Sequence, residues 1–123
     1  MDMYDHVGLH VQDLDASVRF YQAALAPLGH VLCMRDASSA GFGPKDAPAL
    51  WLYHDAKAAS PINAHIAFRA EKHHHVDDFH AEGLKAGGKD LGAPGVRADY
   101  ASNYYAAFLT DPDGNNIEAV CMV

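Results

Sequence analysis

The chain has 123 residues, enough for one domain that buries a core without disulfide or metal staples. Half of them are hydrophobic and a fifth charged, the balance of an ordinary globular protein. The formal net charge of −7, with Lys and Arg few and scattered, argues against nucleic acid or an anionic membrane as partner, since either calls for a basic patch. No apolar run approaches the roughly 20 residues of a bilayer span, and the N-terminus has no signal-peptide pattern. Cys33 and Cys121 are isolated, without metal-type or redox-type spacing. The expectation is a cytoplasmic protein in which both act as small buried hydrophobes.

The first strand is expected over 5–11, where side chains alternate between two faces. Val7, Leu9 and Val11 form the apolar face, and His6, Gly8 and His10 the polar one. Asp13 or Asp15 can cap the helix that follows, and Leu14, Val18, Phe20, Tyr21, Leu25 and Leu28 recur at helical spacing until Gly29 closes it. Short strands at 30–35, 40–42 and 49–53 are punctuated by Gly41, Gly43, Pro44 and Pro48. A connecting segment at 54–62, containing Pro61, ends the first half.

The second half repeats the order. A strand at 63–69 carries His65 on its more polar face, opposite Ile66 and Phe68. A helix at 74–85 buries Val76, Phe79 and Leu84 and ends at Gly87-Gly88. The triplet His73-His74-His75 opens that helix, and helical neighbours about 100° apart cannot readily share one metal. A weak strand at 90–94 and a stronger one at 103–110 lead to Asp111-Pro112-Asp113-Gly114-Asn115, a turn by composition. The last strand, 116–122, carries Glu118 opposite its apolar side chains. The reading is one domain of two modules, at about 1–57 and 63–123.

His6, His65 and Glu118 are the candidate metal ligands: two imidazoles and one carboxylate from separate strands suit a divalent ion with coordination positions left open. His10 lies on the same face as His6 and reads either as a donor behind the ligands or as a rim histidine touching water. One of Tyr104 and Tyr105 must face inward, because adjacent strand residues point to opposite faces, and an inward phenol can donate to a substrate oxygen. Tyrosines also suit strands by propensity alone. Trp51 and Phe42 are candidates for an apolar pocket wall, with Tyr100 beside them and Arg69 and Arg97 as the nearby cations.

Three stretches together resemble the vicinal oxygen chelate superfamily, which includes glyoxalase I, extradiol dioxygenases, fosfomycin-resistance enzymes, methylmalonyl-CoA epimerase and bleomycin-resistance proteins. They are Asp5-His6-Val7 through Asp13-Leu14-Asp15-Ala16-Ser17 and Phe20-Tyr21, then Ala64-His65-Ile66-Ala67-Phe68, then Phe108 through Asp111-Pro112-Asp113-Gly114-Asn115-Asn116-Ile117-Glu118. The resemblance implies an α+β fold of two tandem βαβββ modules whose curved mixed sheets surround a cavity. It implies His6, His65 and Glu118 as ligands of a divalent metal (Fe, Mn, Ni, Zn or Co), and places Trp51 where glyoxalase I has a glutamate. That departure argues against a simple lactoylglutathione lyase. What remains implied is a homodimeric metalloenzyme of lyase, isomerase or dioxygenase type, acting on a small substrate with vicinal oxygens. Glu118, His10, Tyr104 and Tyr105 are then its catalytic candidates, and Phe42, Trp51, Arg69 and Tyr100 its pocket. Two other family roles stay open: metal-free binding or sequestration, as in bleomycin resistance, and thiol transfer, as in fosfomycin resistance.

Overall fold

Side-chain alternation in β1 (Val7–Val11) buries Leu9 and Val11 and leaves Gly8 and His10 exposed, as the sequence pattern requires. The computed structural model describes residues 3–58 and 64–123. After β1, the Asp13 carboxylate accepts from the Ala16 amide at 3.1 Å and caps α1 (Leu14–Leu25). A 3-10 turn, Ala26–Leu28, ends at Gly29 in the left-handed region with φ 91°. Then come β2 (Val31–Arg35), β3 (Ser39–Gly43) and β4 (Leu50–His54). The second module is β5 (His65–Arg69), α2 (His73–Lys85), β6 (Lys89–Val96), β7 (Tyr105–Thr110) and β8 (Asn116–Cys121). Each module forms its own four-stranded sheet, ordered β1-β4-β3-β2 and β5-β8-β7-β6, and in each the first strand runs parallel to the last. This is the expected pair of βαβββ units. Of the connecting segment, residues 59–63 lie outside the described residues.

The helices lie between the sheets. Helix α1 packs on β3 and β4, α2 on β6 and β7, and the two helices pack on each other. Leu9, Leu52, Phe20, Phe79, Leu109 and Ile117 accordingly fall in one continuous core rather than two. The consequence decides where a site can be: the sheet faces turned away from the helices, one per module, look outward on opposite sides of the chain. None of the described helices is long and apolar enough to cross a membrane.

The Asp-Pro-Asp-Gly-Asn turn does more than reverse the chain. The Tyr21 hydroxyl of α1, fully buried, donates to Asp111 at 2.5 Å. Asp113 accepts from the Gln12 amide at 2.9 Å and from the Ser17 hydroxyl at 3.3 Å. Asn115 accepts from the Ala64 amide at 3.2 Å. The buried acids of module two thus clasp the end of β1 and the helix of module one.

Candidate active-site faces

On the outer face of module two, Glu118 stands next to Asn116 along β8 by the two-residue strand period. The side chain of Glu118 is buried, 2% exposed, yet belongs to no helix-facing core layer. Its Oε1 lies 3.0 Å from His65 Nε2, and its Oε2 accepts from the Tyr104 hydroxyl. His65 Nδ1 lies 3.1 Å from the Asn116 carbonyl oxygen. A carbonyl can only accept, so Nδ1 carries the proton and donates. Burial, together with the hydrogen bond and negative charge of Glu118, pushes the Tyr104 phenol up to about 12. At neutral pH Tyr104 is therefore a donor and not a base.

Phe108 faces Glu118 across the β7–β8 ladder. The His65 ring stacks over it at 6.4 Å, and the Arg97 guanidinium sits 5.3 Å from its centroid. Tyr100 meets Tyr104 edge to face at 5.0 Å, so an aromatic wall encloses the acid.

The corresponding face of module one is built on the same grid. Gly8 pairs with Trp51 in the β1–β4 ladder as Ala67 pairs with Glu118 in β5–β8, so Trp51 occupies the counterpart of the Glu118 position. A Cβ at Gly41 would meet the Trp51 ring at 2.9 Å, so the absent side chain there lets the indole lie flat over β3. His10 approaches Tyr53, with ring centroids 5.7 Å apart, and its Nδ1 lies 3.6 Å from Asp55. His6 precedes β1, because hydrogen bonding to the sheet begins at the Val7 amide, and its Nδ1 pairs with Asp5 at 2.6 Å.

Of the expected ligands, then, one chain brings His65 and Glu118 together, and His6 is set on the other module. Among the described residues no three His, Cys, Asp or Glu side chains converge on one point. Tyr104 is the inward phenol. Tyr105 is a correction: its hydroxyl donates to Asp77 of α2 at 2.5 Å and its ring stacks on His73 at 4.0 Å, which places it on the helix side. Phe42 is another. It is one position out of phase with Gly41, the partner of Trp51, and is buried against Tyr21, facing a recess lined by Val7, His30, Ile66 and Phe68. Arg69 shares the His65 face of β5 by alternation and lines a hollow at the C-terminal end with Met122 and Val123. His73 is exposed, with the Tyr105 ring stacked on it and the Val123 carbonyl oxygen 3.0 Å from its Nε2.

The family model described as the glyoxalase/bleomycin resistance protein/dioxygenase superfamily matches residues 4–119. The chain belongs to this superfamily. A glyoxalase/bleomycin resistance protein from Albidiferax ferrireducens T118 is 30% identical, covers 98% of each chain and superposes with a TM-score of 0.83. A glyoxalase-related enzyme from Fulvimarina pelagi, 18% identical over 98% of this chain and 88% of its own, has a TM-score of 0.76. A glyoxalase/bleomycin resistance protein/dioxygenase family enzyme from Burkholderia phytofirmans PsJN, 19% identical over 97% and 98%, has 0.74. The latter two share the glyoxalase-like fold. No curated protein matches the chain. Superfamily membership does not supply Phe108, Arg97 and the Asn116 side chain as members of the Glu118 face. The strand register finds Phe108 opposite Glu118, which no local pattern contains, whereas the two-residue period already sets Asn116 beside Glu118.

Proposed function

We propose that this superfamily member is a divalent-metal-dependent enzyme of lyase, isomerase or dioxygenase type, working as a cytoplasmic homodimer on a small substrate with two neighbouring oxygens. The observation that carries this reading is the His65–Glu118 contact. With Nδ1 donating to the Asn116 carbonyl, His65 turns Nε2 toward a carboxylate oxygen 3.0 Å away. Two acceptors at that distance repel unless a cation, proton or metal, serves both. The donor set fits a metal: an imidazole whose second nitrogen is anchored by a backbone carbonyl is how ligand histidines are oriented. His65 and Glu118 would hold the ion with His6 as third ligand, and a second carboxylate is replaced by Trp51. The chemistry such an ion supplies when bound is Lewis-acid polarisation of the substrate's paired oxygens. Tyr104 positions Glu118 and keeps its own proton for donation. His10, on the module-one face beside Asp55, is the remaining candidate for proton transfer.

His6 reaches the site from a second chain in this reading. Strands β1 and β5 are both sheet edges, with unpaired backbone groups that invite a further strand. Setting β1 of one chain beside β5 of another joins the outer face of module one to that of module two without moving either core. A second reading, metal-free binding of an aromatic compound, is favoured by the rings of Trp51, Tyr53, Tyr100 and Phe108 on these faces.

A hybrid dimer separates the arrangements. Chains carrying His6→Ala and chains carrying Glu118→Gln, each expected to lose Mn(II) or Ni(II), are unfolded together and refolded as a mixture. Shared sites regain metal in about one site in four by random reassortment of a symmetric dimer. Recovery of none, with wild-type protein binding fully, would show each site to be confined to one chain. No metal on wild-type protein would leave the binding-protein reading.

A further inference from the structure

Arg97 is a cation without an ion-pair partner in an acidic protein. Among the described residues no carboxylate pairs with it, while the chain carries a net charge of −7. It is nevertheless fixed. Its Nη1 donates to the Gly95 carbonyl at 2.9 Å, its Nη2 to the Ala93 carbonyl at 2.7 Å, and its plane lies over Phe108. Strand β6 is shaped around it: the ladder slips on both sides of Gly92, and a Cβ at Gly92 would come within 2.9 Å of Nη2. A guanidinium has five N–H donors, so part of the fork remains available beyond those two carbonyls.

The recess that Arg97 lines is completed by Leu91, Tyr100, Phe108 and Asn116. Asn116 adds an independent observation, because its Oδ1 is buried and has no hydrogen-bond partner. A buried acceptor left unpaired costs about 1–3 kcal/mol, which a ligand donor would recover. Fixed donors from Arg97, a waiting acceptor from Asn116, and an apolar surround from Leu91 and Tyr100 define a small organic acid that bears a hydroxyl beside its carboxylate. A phosphate dianion would call for more than one cation, and Arg97 is the single charged side chain lining this recess.

We propose that Arg97 and Asn116 are specificity-determining residues that hold, respectively, the carboxylate and the hydroxyl of a hydroxycarboxylate substrate. The assignment deepens the proposed function and rests on the Glu118 face being its substrate site.

The test is calorimetric binding of mandelate, phenylacetate and mandelamide, with and without saturating Mn(II). Phenylacetate lacks the hydroxyl and mandelamide the charge. Wild-type protein should bind mandelate about tenfold or more tighter than either analogue, the size of one charge-assisted or buried hydrogen bond. Arg97→Gln should abolish the preference over mandelamide, Arg97→Lys should keep part of it, and Asn116→Val should abolish only the preference over phenylacetate. Equal binding of the three probes, no binding of any, or a preference that survives Arg97→Gln would overturn the assignment. A preference that depends on Arg97 both with and without Mn(II), where Mn(II) itself does not bind, would retain Arg97 and reject the metalloenzyme. Metal binding with no carboxylate preference would do the reverse.

Discussion

Asp111→Ala should lower the unfolding free energy by about 3–5 kcal/mol, because it leaves several buried donors unpaired at about 1–3 kcal/mol each before the site relaxes. The denaturant midpoint should fall without a change in slope. Asp111 is 3% exposed and accepts four bonds: from the Tyr21 hydroxyl at 2.5 Å, the Asp113 and Asn115 amides at 3.0 and 2.8 Å, and the Asn115 side-chain amide at 2.8 Å. Alanine strands all four donors at the point where module two grips α1. A domain of this kind has about 5–15 kcal/mol in total, so the loss is a large fraction. Asp111→Asn should cost less. Its oxygen can still serve the two backbone amides, and its NH₂ can meet the hydroxyl oxygen of Tyr21. It must also face the Asn115 NH₂, which cannot turn without releasing the Ala64 amide. Tyr21→Phe, which deletes one bond to a charged acceptor, should cost about 1.5–3 kcal/mol. A variant with unchanged stability at Asp111 would mean that the clasp contributes nothing net.

The same pair sets an alkaline limit. Burial, then the charge and hydrogen bond of Asp111, hold the Tyr21 phenol well above its ordinary value. Its folded pKa exceeds its unfolded one, so the contribution is whole below the ordinary tyrosine range near 10. It drains away as pH climbs from there toward the higher folded value. Tyr21→Phe protein should show a flatter loss of stability above about pH 10 than wild type.

Local pattern carried much of this architecture. Period-two alternation put His65 and Glu118 on the faces where they are found. Helical spacing marked the buried stripe of α1 and Val76 and Phe79 of α2, whereas Leu84, expected inside, is exposed and Gly83 is buried in its place. The turn at Asp111 was legible as a turn, because Pro and Gly dictate backbone angles locally. Its clasp was not, since Gln12, Ser17 and Tyr21 lie about ninety or more positions away and nothing near them signals an acid partner. A phase difference of one residue explains Phe42, and alternation alone left open which of Tyr104 and Tyr105 faces the acid. Phe42 and Tyr105 each sit one position from a true outer-face residue, Gly41 or Tyr104, and one step reverses the face. The orientation of the modules is a question of a different order. Sheets meeting edge to edge in one chain and helices packed between sheets bury the same stripes, so hydrophobic pattern cannot tell them apart. That is why three candidate ligands could be named from the sequence while their division between the two outer faces could not.

Glu118→Gln should remove metal binding while leaving the fold intact. The amide is isosteric, and the local hydrogen bonds favour it. Its NH₂ can donate to Nε2 of the His65 tautomer that carries its proton on Nδ1, and its oxygen can accept from Tyr104. Apo stability should therefore stay close to that of wild type, because both contacts of the carboxylate keep a partner. Metal affinity should fall on the order of 100-fold or more, beyond the ten- to hundredfold that loss of an outer partner costs. At free metal about 100 times the wild-type Kd, the ion should stabilise wild type by about 2.7 kcal/mol and the variant by about 0.4 kcal/mol, a difference that thermal melts resolve. Should the variant keep the full metal-dependent shift, Glu118 is no ligand. The His65 contact would then be an imidazolium–carboxylate pair that serves the sheet.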